Sequence, residues 1–396
     1  MNSAAYIPGN RFLHAPGPTH VPLEVMQAMS RQPMDMGDPR LDVSIAAIEV
    51  GLKGLLQTRT ADLFLYAANG HGAWEAVICN LVGPGETVLV PGTGHFSDSW
   101  AVQTEAMGGK VVRTPWIEGL PIDPAAVEQA LRADAAHDIV AVFAVHTDTA
   151  SGVTSDMQAL RGAIDAARHP ALLVVDVVAS LGAAPFAMDA LGVNVVLGAS
   201  QKGLMCPPGI GFAAADARAM AVCERNPTPR YYWDWRLRKS EFSYRKFCGT
   251  PPQTLLMGLE RALELMVREG LDQVLARHRL MTDVVHAAVR CWSTAGALQF
   301  FGMQAESRST SVTTIVVASG IDTEAIRTTA REQFQVAIAG GLGPLGGRAF
   351  RIGHLGDMNA PMILGCLAGV EAALRVQRVP VGNGALDAAI RCLAGG

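Results

Sequence analysis

Charge is scarce in this sequence. Only 17% of its 396 residues are Asp, Glu, Lys or Arg, and the formal net charge is −4. No basic stripe occurs, which speaks against nucleic acid, acidic polymers and anionic membranes as partners. Cysteine is sparse as well. The seven thiols, at Cys79, Cys206, Cys223, Cys248, Cys291, Cys366 and Cys392, form no CxxC pair and are odd in number. That pattern implies reduced, packed thiols in a cytoplasmic protein and no metal site. Apolar residues reach 49%, yet their runs are short and broken by Gly, Pro or charge, so no membrane span is expected. The start, MNSAAYIPGNRF, lacks the basic-then-apolar order of a signal peptide, and the end, CLAGG, carries no recognised targeting tripeptide. There is no repeat and no low-complexity tract.

What is present is an alternation. Strand candidates lie at 63–67, 87–90, 110–113, 139–145, 172–176, 193–197 and 211–214. Several are apolar at consecutive positions, as strands buried on both faces are. Helix-like stretches at 73–81, 124–133 and 156–167 fall between them. This order predicts an α/β fold with a mostly parallel seven-stranded sheet covered by helices. Near Pro251 the texture changes. Residues 254–297 read as one long amphipathic helix, then 310–317 is rich in β-branched residues. A smaller α+β C-terminal domain follows from that order, and the chain is too long for one compact core.

Three segments carry chemistry. In VLGASQKGLMCPPGIGF, Lys202 follows a strand, at the edge where open α/β sheets place ligands. A lysine there can form a Schiff base with a carbonyl, although taken alone it is more often a solvated loop lysine. Asp176 ends the apolar run ALLVVD, where a carboxylate is costly unless a cation meets it. It lies 26 residues before Lys202, enough for one connection and one strand, so both open at the same sheet edge. The alternative is a structural Asp capping the next element. Finally, the turn Asn69-Gly70-His71-Gly72 precedes a helix and offers backbone N–H groups to an anion. It is neither GxGxxG nor a Walker A loop, which counts against dinucleotides and nucleoside triphosphates.

With these segments in place, the chain resembles the class V, fold-type I enzymes dependent on pyridoxal 5'-phosphate, specifically the alanine/serine–glyoxylate aminotransferase family. The matching pieces are APGPTHVP, NGHGAWEA, HTDTASG, VVDVVASLG, GASQKGLMCPPG, CGTPP and GGLGPLGGRAFRIGHLGD, in family order over nearly the whole chain. The resemblance implies a homodimer and three regions: an N-terminal segment, 1–25, packing with the small domain, a large cofactor-binding domain, 26–253, and a small domain, 254–396. It implies phosphate contacts from the backbone of Gly70 and His71 and from Gln201, and a ring-stacking aromatic at Phe96. Thr149 would bond the cofactor's hydroxyl or phosphate, Asp176 its ring nitrogen, and Lys202 would hold it as a Schiff base. Arg351 would clamp the substrate carboxylate, and Thr250 would reach the partner subunit's phosphate. The implied reaction is transamination between serine or alanine and a 2-oxo acid, glyoxylate foremost.

The sequence also departs from the family pattern. Residues 33–41 read PMDMGDPRL where many serine-type members have a His-Arg pair. Phe247 stands where some relatives have Tyr, and Ala150 replaces a Ser. YYWDWRLRKS at 231–240 has no clear counterpart. These differences keep other substrates open, of the pyridoxamine–pyruvate or ureidoglycine–glyoxylate type. Rival readings are a cysteine desulfurase-like lyase, for which Cys206 and Cys248 have no evident activating partner, and a non-catalytic binding protein.

Overall fold

A computed structural model describes residues 8–395; the first seven residues of the expected N-terminal segment, and Gly396, lie outside it. Along the chain the strands are β1 (Phe12–His14), β2 (Asp62–Tyr66), β3 (Thr87–Val90), β4 (Lys110–Arg113), β5 (Ile139–Val145), β6 (Thr147–Asp148), β7 (Val153–Thr154), β8 (Leu172–Asp176), β9 (Val195–Ala199), β10 (Gly211–Ala215), β11 (Leu298–Phe300), β12 (Val312–Val317), β13 (Val336–Gly340) and β14 (Ala349–Gly353). Seven of them form one sheet in the order β2-β10-β9-β8-β5-β3-β4. Only β10 runs antiparallel to its neighbours there. The mostly parallel seven-stranded sheet expected from the apolar runs is therefore present.

The reason for those runs is visible in the packing. Successive side chains of a strand point to opposite faces. Leu173 and Val175 enter one core, with Val142, Val196 and Phe212. Leu172 and Val174 enter the other, with Phe143, Val195 and Ala213. One expected strand is displaced: β9 covers Val195–Ala199, not 193–197. Asn194 replaces the ladder at its start, with Oδ1 accepting from Leu173 N at 2.8 Å and Nδ2 donating to Asp216 at 2.7 Å.

A second sheet has the order β1-β13-β14-β12-β11. β1, from the N-terminal segment, pairs in parallel with β13 at its edge. Residues 254–297 are not one helix, as expected, but two, Gln253–Glu269 and Leu271–Ser293. Gly270 separates them at φ +86°, a backbone conformation open to glycine and closed to most L-residues. The first helix buries Leu256, Leu259, Leu263 and Met266 in a core of the large sheet. It also lies so close to helix Leu23–Met29 that a Cβ on Gly258 would meet Met29 Cγ at 2.6 Å. The expected boundary at 253/254 would detach this helix from the layer it packs on. We propose Gly270 as the division instead.

The smaller body buries four imidazoles: His14, His278, His286 and His354. Burial holds His14 and His278 down to about 4 and His286 down to about 3, and it holds His354 well below the ordinary value. Each group is neutral in the fold and titrates near pH 6.5 once unfolded. Its stabilising contribution is thus complete above about pH 6.5 and is lost as the pH falls towards 4, where the unfolded chain takes up protons that the fold refuses. Thermal melts should show the melting temperature dropping over that window. His286→Leu, which removes one imidazole whose Nε2 has no partner, should flatten the slope. A melting temperature independent of pH between 6.5 and 4 would contradict this account.

Candidate active site

The carboxyl ends of β2, β3, β5, β8 and β9 converge on one edge of the large sheet, where parallel strands place their ligand-binding loops. There Gly70, His71, Phe96, Thr149, Asp176, Gln201 and Lys202 line a single cavity of about 250 Å³. Seven residues scattered over 132 positions by number are thus brought together, while Arg351 and Thr250 do not line it.

After β2 the chain enters helix Gly70–Leu81, three residues earlier than the expected start at 73. Asn69 is the N-cap, its Oδ1 accepting from Gly72 N at 3.2 Å. The N–H groups of Gly70 and His71 belong to the first turn and have no intrahelical partner. They sit at the positive end of the helix dipole, in the cavity wall. A side chain at position 70 would crowd Val178, whose Cγ2 lies 3.2 Å from the Cβ it would carry.

Asp176 ends β8 and is buried. Trp74 Nε1 donates to its Oδ2 at 2.7 Å, and Val178 N donates to its Oδ1 at 2.6 Å. Burial still pushes the carboxyl up to about 6, against the pull of those donors and of Lys202. Lys202 suffers the opposite displacement. Burial, aided by the positive charge of Arg351, brings its amine down to about 8, despite Asp176 and Asp148. Lys202 Nζ donates to the carbonyl of Pro16, and Gly17 passes over its stem so closely that a Cβ there would lie 2.5 Å from Lys202 Cδ and Cε. Phe96 stands at the start of helix His95–Ala106, an element absent from the sequence expectation. Its backbone N donates to Asp148 at 2.9 Å.

Arg351 projects from β14 of the other sheet. Its Nε donates to Gly340 O at 2.7 Å and its Nη1 to Thr149 O at 2.8 Å. Burial brings the guanidinium down to about 10, so it remains a cation at neutral pH. Nη2 makes no hydrogen bond among the described residues. Thr250 lies exposed on the turn before helix Gln253–Glu269. Cys206 is buried, its thiol pushed up to about 12 by that burial, and neither it nor Cys248 lines the cavity.

Comparison with known proteins matches the aminotransferase class-V family over residues 11–344. The chain belongs to the class V aminotransferases. It is 38% identical to an L-aspartate–glyoxylate aminotransferase of Paracoccus denitrificans over 92% of this chain and 91% of that one. It is 37% identical to a serine–glyoxylate aminotransferase of Methylorubrum extorquens, covering 93% and 92%. Among solved structures, ureidoglycine–glyoxylate aminotransferase of Bacillus subtilis superposes with a TM-score of 0.90 at 26% identity, over 98% of this chain and all of that one, 100%. The protein is therefore a pyridoxal-phosphate-dependent aminotransferase of fold type I.

The cavity of this aminotransferase fits that cofactor. Two free N–H groups at a helix start suit its phosphate, and a buried carboxylate suits its ring nitrogen. Gln201 adds a side-chain amide whose Oε1 is buried without a partner; the same amide can turn its NH₂ towards an anion. Several residues that hold the site went unnoticed in the sequence. Trp74, Asp148, Pro16 and Gly17 all lie inside the motifs quoted for the resemblance, yet their contacts span up to 186 positions, as between Pro16 and Lys202.

Trp74 is the most telling of these. Its indole N–H is one of two donors to Asp176, and its ring stacks on Trp100 at 5.5 Å. Trp74→Phe keeps the stack and removes the donor. A hydrogen bond to a buried charged group contributes about 1.5–3 kcal/mol, so cofactor affinity should fall roughly ten- to a hundredfold with the fold intact. Absorbance titration with pyridoxal phosphate and a circular-dichroism melt measure the two quantities. Unchanged affinity would detach Asp176 from cofactor binding.

Proposed function

We propose that this aminotransferase transfers the amino group of a small amino acid, serine or alanine, to a 2-oxo acid, with glyoxylate as the acceptor. The observation that carries the reading is the set of charges around the cavity: one buried carboxylate, Asp176, one depressed amine, Lys202, and one fixed guanidinium, Arg351. Pyridoxal phosphate, when bound, supplies the electron sink for breaking the bond between Cα and its hydrogen. Asp176 holds the positive charge of the cofactor's ring nitrogen. Lys202 Nζ, neutral above about pH 8, would carry the Cα proton to the cofactor's C4' carbon, the net shift that leaves the amino group on the cofactor. Arg351 holds the donor's carboxylate through Nη2, the nitrogen left over from its bonds to Gly340 and Thr149. Gly70, His71 and Gln201 would take the phosphate, Phe96 would cover the ring, and Thr149 would contribute its hydroxyl.

The charge of the cavity supports a small donor. Among its described lining residues, Lys202 is the only cationic side chain. His71 lines it too, but burial and the neighbouring His95 lower its pKa. A second, distal carboxylate would find no cation. Against this stands the aspartate named for the Paracoccus relative, which makes aspartate the second reading. The decisive experiment is turnover of serine, alanine, aspartate, glutamate, ureidoglycine and pyridoxamine against glyoxylate and pyruvate. Serine or alanine should give the highest kcat/KM; a maximum with aspartate, ureidoglycine or pyridoxamine would replace the proposed donor. Arg351→Ala removes half of a charged, hydrogen-bonded pair and should lower kcat/KM by about 2–5 kcal/mol of transition-state binding for every amino-acid donor. Retained kcat/KM would refute the clamp.

Thr250 supports a homodimer in which each subunit completes the other's phosphate site. It is exposed, absent from the cavity of its own protomer, and followed by Pro251 and Pro252, which fix the backbone. The adjoining segments, which meet residues 248 and 249 at the carbonyls of Tyr231 and Tyr244, expose Tyr231, Phe242 and Tyr244 at 75%, 70% and 59%, more apolar surface than a solvated loop needs. Buried Phe247 offers no hydroxyl, so Thr250 bears more of the contact. Sedimentation should give a dimer, and Thr250→Val should weaken cofactor binding without dissociating it. A fully active monomer would sink the idea.

A further inference from the structure

The residues that line the cavity do not by themselves explain where Lys202 points. Its side chain is held from above by segment 15–19. Pro16 O accepts from Lys202 Nζ, Gly17, at φ +120°, lets the backbone touch the lysine stem, and Thr19 Oγ1 donates to Lys202 O at 3.0 Å. This segment is in turn pressed by the end of β14 and the turn that follows it. A Cβ on Gly353 would lie 2.6 Å from both C and O of Ala15 and 2.8 Å from Pro16 N. One on Gly356 would lie 3.4 Å from Thr19 Oγ1 and 3.5 Å from Met205 Cγ. Met205 N itself donates to Lys202 O at 3.0 Å.

The turn has one buried anchor of defined protonation. His278, on helix Leu271–Ser293, has its Nδ1 2.7 Å from Val274 O, a carbonyl that can only accept, so Nδ1 carries the proton. Its Nε2 then has a free lone pair, which accepts from Gly356 N at 3.0 Å. Arg277, paired with Glu269 at 2.6 Å, holds the other side of the turn through Gly356 O at 2.7 Å. His354, at the head of the turn, donates to Thr310 O and has its Nε2 2.9 Å from Thr313 Oγ1. His278 does not line the cavity.

We propose that His278 is a positioning residue for Lys202, acting through Gly356 and Thr19 to set the height of segment 15–19 above the lysine amine. The small body thereby fixes the geometry of proton transfer in the large one. The proposal rests on Lys202 being the cofactor lysine, which is checked first: borohydride reduction of the holoenzyme followed by peptide mass mapping should place the cofactor on Lys202. Attachment elsewhere would remove that reading, and the brace with it.

Given attachment at Lys202, three variants decide the brace. His278→Ala loses the acceptor. His278→Gln restores an acceptor oxygen near the position of Nε2. Thr19→Val removes the hydroxyl at the other end of the chain of contacts. In His278→Ala and Thr19→Val, kcat should fall about tenfold with KM within roughly twofold, as expected for misplacement of a reacting group without loss of substrate contacts. The visible band of the lysine-bound cofactor should titrate with a midpoint moved by roughly half a pH unit or more. His278→Gln should recover most of both. A merely structural histidine would lower the melting temperature and leave the band's midpoint alone. That outcome, or a glutamine variant no better than alanine, would overturn the proposal. If His278→Ala does not fold, Thr19→Val carries the test, and an unchanged midpoint there would overturn it equally.

Discussion

Two ionisable side chains, buried Asp176 and half-buried Lys202, lie along the same crevice and do not pair with each other. Asp176 is satisfied by Trp74 and Val178, and Lys202 by Pro16. Desolvation is the largest effect on both. It raises the acid to about 6 and lowers the amine to about 8, so each is moved towards its neutral form. A carboxylate in this condition gains from a cation brought against it, and an amine in this condition is a better nucleophile at neutral pH. The strands that bury them create the chemistry, because β8 and β9 are apolar on both faces up to the residue where each opens.

This is also why so much of the site was legible. Asp176, the 69–72 turn and Lys202 each follow an apolar run, and in a parallel sheet the carboxyl ends of such runs meet at one edge. Position in the sequence therefore implied position in space. Phe96 and Thr149 came from the resemblance and line the same cavity.

The pattern failed where contacts cross between elements. Trp74 and Asp176 are 102 positions apart, and nothing in the spacing of a helical Trp says that its N–H meets a strand-end carboxylate. Helix His95–Ala106 was missed because His95, Ser97, Asp98, Ser99, Gln103, Thr104 and Glu105 leave it no continuous apolar stripe; Trp100, Ala101 and Thr104 are buried in it nonetheless, and Asp148 ties down its start. The helix expected at 254–297 failed for a different reason. Its periodicity runs through Gly270 almost without a break, and only the positive φ of that glycine separates a helix that belongs to the large sheet from one that belongs to the small.

Arg351 shows what that division does. It stands on β14 of the second sheet, yet its Nη1 bonds the carbonyl of Thr149, in the loop after β5 of the first. Its Nε is fixed to the neighbouring strand β13 through Gly340. Two of its three nitrogens are thus committed before any substrate arrives, which removes most of the rotamer freedom of a long side chain. A carboxylate meeting Nη2 binds a guanidinium that is already ordered, and less binding energy is lost to ordering it. The bond to Thr149 makes Arg351 a rivet between the two bodies. Where its guanidinium lies is set by how β14 sits against the loop carrying Thr149, and that loop is itself fastened through Asp148 to the helix that carries Phe96. Arg351 and Phe96 are therefore positioned by one chain of contacts, with Asp148 as its buried centre.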